Sequence, residues 1–498
     1  MVLSNQFIVV NPKDNIAVAL CPLKKGEAVV VDGQKIVLEK DVPVRHKFAI
    51  RPIQEGEAVI KYGYPIGTMR KGAFPGDYIH LDEVRTNLQG IIDYRYEPQL
   101  AAKNSEAEPA TFMGYVRDNG DVGIRNEIWI VNTVGCVNTT AKNLARLAME
   151  QYGSLVDGIY AFPHVYGCSQ LGEDLLNAQR IMAGMVNHPN AAGVLVLSLG
   201  CERNNIAEFK KVLGKTDEKR VKFLVAQESA DEIEEGLKLI GELVENAARY
   251  KRERVSVSKL KVGLKCGASD GFSGISANPV VGAFSDRLIA QGGTAVLTEI
   301  SEMFGAEVIM MNRCVDSTVF DKMVAMINDF KNYYLKYGEP IDENPAPGNK
   351  AGGITTCEEK SLGCIQKGGT SNVTDVLRYG ERATKPGLNI LSGPGDDMIA
   401  ITNLVAAGCQ IILFTTGVGN PLGAAVPTVK ISSNTPLYEK KKNWIDFDAG
   451  PLLAGGTTDA LSRQLFHCVL KVASGEKQTL NEINHYRDIA MLKDGATM

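Results

Sequence analysis

From residue 111 onward, short apolar runs alternate with segments of helix length, and this rhythm limits the fold more than any other feature of the chain. IWIVNTVG leads to a helical stretch from about 139, GIYAFPH to one from about 172, and VLVLSLG to one from about 204. KFLVAQ leads to the long segment DEIEEGLKLIGELVENAARYKRE. Strands separated by crossover helices make a parallel sheet with helices on its faces. After the charged boundary KRERVSVSK at 251–259, the runs KVGLKCG, GTAVLTEI, LNILSG and QIILFTTG restart the pattern. Residues 338–372 form a long Gly/Pro-rich loop region, a length that in a compact domain points to function.

The first ~95 residues differ from the rest: FIVV, NIAVAL, EAVVV, KIVLEK and KFAIRPI are β-type runs broken by turns, with VDGQ a hairpin signal. QLAAKNSEAEPA, at 99–110, is Ala/Glu/Pro-rich and reads as a linker. The expected chain is therefore α/β, with a small β-rich domain over 1–98 and the linker over 99–110. Two parallel-sheet α/β domains follow, over 111–255 and 256–498.

The formal net charge of −4 argues against nucleic acid or an anionic membrane as the main partner. No apolar stretch approaches the roughly 20 residues that span a bilayer, and MVLSNQFIVV lacks the parts of a signal peptide. Ten cysteines in so long a chain make no disulfide framework, so they read as reduced thiols or metal ligands in the cytoplasm. Glycine stands out: fifty residues, about 10% against a typical 7%. It clusters in tight loops where backbone must come close to a ligand, which favours an enzyme over a scaffold.

Cys136, Cys168, Cys201 and Cys266 each sit beside a glycine where an apolar run ends. Strand ends are where open α/β sheets hold their ligands, and at least three of these thiols belong at the same end of one sheet system. None is in CxxC spacing, which excludes a zinc ribbon or a ferredoxin-type motif. One iron, an iron–sulfur cluster with an open position, or core packing all remain open at this point. His164 lies four residues before Cys168. His46 stands between Arg45 and Lys47, a setting for an anionic substrate or for a base with a lowered pKa. Arg117 and Arg125 lie in a glycine loop, as a grip on carboxylate or as a surface turn. Ser269, Asp270 and Ser273 occupy CGASDGFSG ahead of a helix, a setting for an anion or a sugar hydroxyl. Lys350 lies in ENPAPGNKAGGITT, to neutralise a carboxylate, act as a base or simply be solvated. No GxSxG, HExxH, EF-hand or kinase set is present. These features suit an anionic, polyhydroxylated small molecule bound between domains with the help of a metal.

HKFAI, VIKYGYPIG and RTNL resemble a small N-terminal β domain of the SAF type. GYVRDNGDVGIRNEIWIVNTVGCVN, HVYGCSQLG, LSLGCE, CGASDGFSGISANP, EMFGAE, PGNKAGGITT, KSLGC and LFTTGVGNP resemble the body of the altronate/galactarate dehydratase family. The likeness runs from about residue 6 to 498. It implies loss of water from an aldonate such as D-altronate to give 2-keto-3-deoxy-D-gluconate, in hexuronate catabolism. Galactarate, or another hydroxy acid, is the alternative substrate. The implied cofactor is iron, as Fe2+ or alternatively as an iron–sulfur cluster. The partner is the sugar acid itself, with a homo-oligomer possible. By the same resemblance His46 is the acid or base, and Lys47, Arg85, Arg125 and Lys350 hold the carboxylate. Ser269, Asp270 and Asn278 hold the hydroxyls, and iron sits among Cys136, Cys168, Cys201 and Cys266 with His164. Arg45 stands where the family leads one to expect glycine. A sugar-acid sensor and a redox enzyme using a cluster for electron transfer are the rival classes.

Overall fold

The computed structural model describes residues 2–102 and 109–498, so positions 103–108 of the expected linker lie outside the described residues. The N-terminal part is strand-rich. Its five-stranded antiparallel sheet joins β1 (Val2–Leu3), β2 (Phe7–Val9), β3 (Ile16–Ala19), β4 (Lys47–Ala49) and β5 (Tyr78–Ile79) in that spatial order. The VDGQ hairpin forms between Ala28–Val31 and Gln34–Val37. Its central Asp32 and Gly33 both take positive φ, as a two-residue hairpin turn of the primed type requires.

The next sheet is fully parallel, in the order β7 (Gly158–Ala161), β6 (Glu127–Asn132), β8 (Ala191–Ser198) and β9 (Val221–Val225). Helices α1 (Asn138–Tyr152), α2 (Gly172–Val186) and α3 (Ile206–Leu213) cross between these strands, and α4 (Glu232–Ala247) follows the last of them. The long helix stops at Ala247, short of the expected 253. Arg252–Ser256 instead pairs antiparallel with Thr111–Val116, and the Arg252 guanidinium donates to the carbonyls of Met113, Ile124 and Ala473. A charged run that reads as a solvated helix end is thus a strand whose arginine satisfies three carbonyls.

The C-terminal part holds a seven-stranded parallel sheet. Its order is β12 (Val373–Leu377), β13 (Gly387–Leu391), β11 (Thr294–Leu297), β10 (Lys261–Cys266), β14 (Ile411–Thr416), β15 (Thr428–Ser432) and β16 (Phe447–Asp448). The two parallel sheets share one apolar core, in which Trp129, Ile181 and Val196 pack with Leu404, Ile412 and Phe414. Helix α5 (Ala277–Ala290) follows β10, and the supposed loop over 338–372 contains α6 (Pro347–Ala351) and α7 (Cys357–Cys364), every residue of α7 being buried. Thr356 caps α7 by accepting from the Glu359 amide. Among the described residues no helix is long and apolar enough to cross a membrane.

His188 is wedged into the shared core. Its ring stacks on Trp129 with centroids 5.1 Å apart, Nε2 lies 3.1 Å from the Cys409 carbonyl, and Nδ1 accepts from the Asn190 amide. Burial, helped by Arg382 and Arg220, pushes its pKa down to about 3 against the resisting backbone bond. Between that value and the ordinary ~6.5 the unfolded chain binds the proton and the folded chain does not, so stability falls as the pH falls through this window. Each pH unit should remove up to about 1.4 kcal/mol through this group. Urea unfolding at a series of pH values checks it: His188→Gln should flatten this part of the acid limb, and an unchanged limb contradicts the assignment.

Candidate active site

The seven-stranded sheet grows outward from β10 in both directions, so the β10/β14 junction is its topological switch point, where open α/β sheets bind ligands beyond the strands' carboxyl ends. Cys266 is the last residue of β10. A cavity of about 650 Å³ opens there, and its walls include Cys266, Ser269, Glu302, Asn349, Lys360 and Asp397.

At its base Cys266 and Cys364 lie with their sulfurs 3.5 Å apart, and both thiols donate to Glu302 Oε2, at 2.9 and 3.0 Å. Among the described residues these three form the one trio of His, Cys, Asp or Glu whose ligand atoms all lie within 4.8 Å of one another. A charged shell encloses them. Lys360 Nζ is 3.0 Å from Glu302 Oε1, Lys265 pairs with Glu299 and with Asp397, and Lys367 pairs with Glu299. Glu299 also accepts from the Cys266 amide and is itself in the left-handed region, at φ 72°. Burial would raise the Glu302 pKa, but Lys360, Lys265 and Lys367 outweigh it and hold the carboxyl below its usual range. The bond from Cys266, with burial, pushes the Cys364 thiol well up.

These contacts pass a simple test for a divalent metal. Three lysines balance Glu299, Glu302 and Asp397, so the cluster with neutral thiols has no net charge. A dication that displaces both thiol protons leaves that balance intact. Two thiolates and one carboxylate are a donor set a first-row metal accepts, and three protein ligands leave room for substrate.

The small domain closes over the outer side of α6 and α7. Glu359 is buried between Lys47 and Lys61, at 2.9 and 2.7 Å, and Lys47 Nζ also donates to the Gly353 carbonyl at 2.6 Å. His46 Nε2 lies 3.2 Å from the Ala351 carbonyl and Nδ1 lies 2.7 Å from the Tyr78 hydroxyl. A carbonyl can only accept, so Nε2 donates to Ala351, and burial lowers the His46 pKa. Arg45 takes a positive φ of 76°, which accounts for the expectation of glycine there. Its guanidinium lies 3.0 Å from the buried Asp270 carboxylate, and its carbonyl is enclosed by Gly271 and Gly353, where a Cβ on either would strike it.

The remaining expected site residues are dispersed. Ser269 lines the cavity and its carbonyl accepts from Asn349. Asp270 organises its own turn, accepting from the amides of Phe272 and Ser273. Asn278 ties Gly363 to Thr415 behind the cavity. Lys350 is half-buried on α6, and Arg85 is exposed on the small domain. Arg125 does not reach the cavity, because its guanidinium makes a bidentate pair with Glu482 and donates to the carbonyls of Ile124 and Val472. Arg117 is engaged in the same manner by Pro189, Arg125 and Asn126.

The single ligand set drawn from the cysteines divides in two. Cys266 joins Cys364 and Glu302, whereas Cys136, Cys168 and Cys201 lie exposed at the end of the four-stranded sheet. His164 has neither nitrogen free: Nε2 bonds the Asn132 carbonyl and Nδ1 accepts from the Tyr166 amide. Glu302, Cys364 and Lys360 escape sequence reasoning, although Gly363–Cys364 repeats the glycine–cysteine pairing.

This architecture and site define a class: a strand-rich cap on a doubly wound α/β body, with a thiol–carboxylate centre in a cationic shell at the switch point. Family models match along its length. Residues 5–87 match the altronate/galactarate dehydratase SAF domain, 114–248 the second domain of D-galactarate dehydratase/altronate hydrolase, and 257–497 the D-galactarate/altronate dehydratase C-terminal domain. The chain belongs to the altronate/galactarate dehydratase family. It is 49% identical to an altronate dehydratase of Escherichia coli (strain K12), covering 99% of this chain and 100% of that one. It is 48% identical to an altronate dehydratase of Bacillus subtilis (strain 168), with 99% of each covered. A galactarate dehydratase (L-threo-forming) of Escherichia coli (strain K12) is 32% identical, over 96% of this chain and 94% of that one.

Proposed function

We propose that this chain is a hydro-lyase that dehydrates altronate to 2-keto-3-deoxy-gluconate, working inside the cell in hexuronate breakdown. The observation that carries the reading is the near-half identity to two altronate dehydratases along their whole length, against 32% to galactarate dehydratase. Removing the hydrogen beside a carboxylate needs that carboxylate held by cations, and the departing 3-hydroxyl needs an acid. Lys360 supplies the ammonium on the cavity wall and would exchange its bonds to Asn344 and Asn349 for the incoming carboxylate, leaving Ser269 and the released Asn349 amide to meet the sugar hydroxyls. Cys266, Cys364 and Glu302 would hold the iron, which when bound supplies Lewis acidity. His46 acts as a positioning residue: through the Ala351 carbonyl it fixes α6, the helix that carries Asn349.

The test is keto-acid formation by anaerobic, Fe2+-loaded protein given D-altronate, D-galactarate and (2R)-sulfolactate in parallel. Altronate should be turned over fastest, and a chelator should stop the reaction until Fe2+ is returned. Faster turnover of galactarate or sulfolactate would move the assignment within the family, and keto acid from none of the three would sink it.

A further inference from the structure

The exposed thiols form a built site of their own, separate from the cavity. Strands β7, β6 and β8 are neighbours in one parallel sheet, and the loops leaving their carboxyl ends carry Gly167–Cys168, Gly135–Cys136 and Gly200–Cys201. These loops are fastened to one another through backbone. The Gly135 amide donates to the Tyr166 carbonyl at 3.0 Å, and the amides of Arg203 and Asn204 donate to the carbonyls of Cys168 and Gly167 at 3.0 and 3.1 Å. A Cβ on Gly135 would strike the His164 carbonyl, and one on Gly167 the Thr133 carbonyl, so glycine is what permits the loops to approach. Beneath them the buried Glu202 carboxylate accepts from Thr133 Oγ1, Ser198 Oγ and the amides of Leu199 and Gly200, joining the loop after β6 to the loop after β8.

On this fixed base all three thiols are exposed and in no disulfide, and Gln227 Nε2 donates to the Cys201 sulfur at 3.6 Å. Free cysteine is among the most buried residue types, so three exposed at one sheet edge call for a ligand. The backbone bonds that fasten the three loops bring the three sulfurs to one rim of the sheet. Yet they are not a trio whose sulfurs all lie within 4.8 Å of one another. That spread is too wide for a single tetrahedral ion with sulfur ligands at about 2.3 Å. It suits a cluster, which spaces its cysteine ligands over several irons.

We propose that Cys136, Cys168 and Cys201 hold a [4Fe–4S] cluster, with its fourth iron left to an oxygen ligand from solvent or a small hydroxy acid. The site does not depend on the altronate reading, and its test does not depend on turnover. The full-length protein is reconstituted anaerobically with Fe2+ and sulfide, then assayed for acid-labile sulfide, visible absorption and iron. The wild type should take up about four sulfides per chain and show the broad absorption of a cluster. Cys136→Ser/Cys168→Ser/Cys201→Ser should lose all the sulfide with its far-ultraviolet CD and unfolding midpoint retained, since the three side chains are exposed. Cys266→Ser/Cys364→Ser should keep the sulfide. A wild type that binds no sulfide, or metal without sulfide, overturns the proposal, as does a triple variant that keeps its sulfide. Separate Cys168→Ser and Cys201→Ser variants guard against misfolding of the triple variant, and full sulfide in both would overturn it equally.

Discussion

Glu302→Gln should lower kcat/KM for altronate by at least about 100-fold, the upper range for disturbing even the outer shell of a metal centre, and should remove the sulfide-independent iron. The amide keeps the shape of the side chain and loses its charge. Both thiols now donate to this one oxygen, Oε2, and Lys360 pairs with the other. Without the carboxylate, Lys360 is left as a buried cation beside a site that must accept a dication, so metal affinity falls together with turnover. Glu302→Asp keeps the charge on a shorter stem and should recover part of the iron. Lys360→Met tests the other partner: it should raise KM for altronate while iron stays bound, because this lysine is assigned to the substrate carboxylate. Iron and turnover both intact in Glu302→Gln would remove the centre from the chemistry.

The strand rhythm was readable because parallel strands buried on both faces give unbroken apolar runs, as β6, β8 and β14 do. β15 escaped because TVKIS buries a lysine, and a run with a charge at its centre does not look like a core strand. Helix α7 was hidden for the same reason on a larger scale. CEEKSLGC reads as a polar loop, yet all eight residues are buried, since Glu358, Glu359 and Lys360 each find a partner on a segment distant in sequence. Polar residues are taken to be outside unless paired, and the pairing is invisible without the fold. This is why Lys360 and Cys364 were missed while Cys266, at the end of an apolar strand, was not. Arg125 shows the converse error. Its glycine loop suggests an anion grip, but the anion is Glu482, more than 350 positions away in sequence. The cysteines were legible as strand ends; which of two sheets each one ended could be settled only in three dimensions.

Glu359→Gln should remove about 3–5 kcal/mol of stability near neutral pH, the usual cost of breaking a buried ion pair from one side. The carboxylate serves two fully buried ammonium groups, Lys47 and Lys61, and also accepts from the Thr355 amide and hydroxyl. A neutral amide leaves both cations without a counter-charge at the junction of the small domain with α6 and α7. Burial and the nearby Lys61 already push the Lys47 pKa down to about 8, with Glu359 resisting. Removing Glu359 lowers it further, so Lys47 surrenders its proton at a lower pH in the folded variant. Between that pKa and the ordinary ~10.4 the unfolded chain holds the extra proton, so through this lysine the variant regains stability as the pH rises. The acid side changes in the opposite sense. In the wild type Lys47 and Lys61 overcome burial and hold the Glu359 carboxyl below its usual range. Its contribution is therefore present above the ordinary glutamate pKa of about 4.3 and is lost as the pH falls below it. Glutamine has no such limb. Urea unfolding from about pH 3 to pH 9 should thus show the two proteins drawing closer at both ends and furthest apart near neutrality. Adding Lys47→Met to Glu359→Gln should restore part of the loss, since one stranded cation is gone and contacting residues do not behave additively. Equal stability of Glu359→Gln and wild type near neutral pH would mean that the Lys–Glu–Lys contact does not hold the small domain in place.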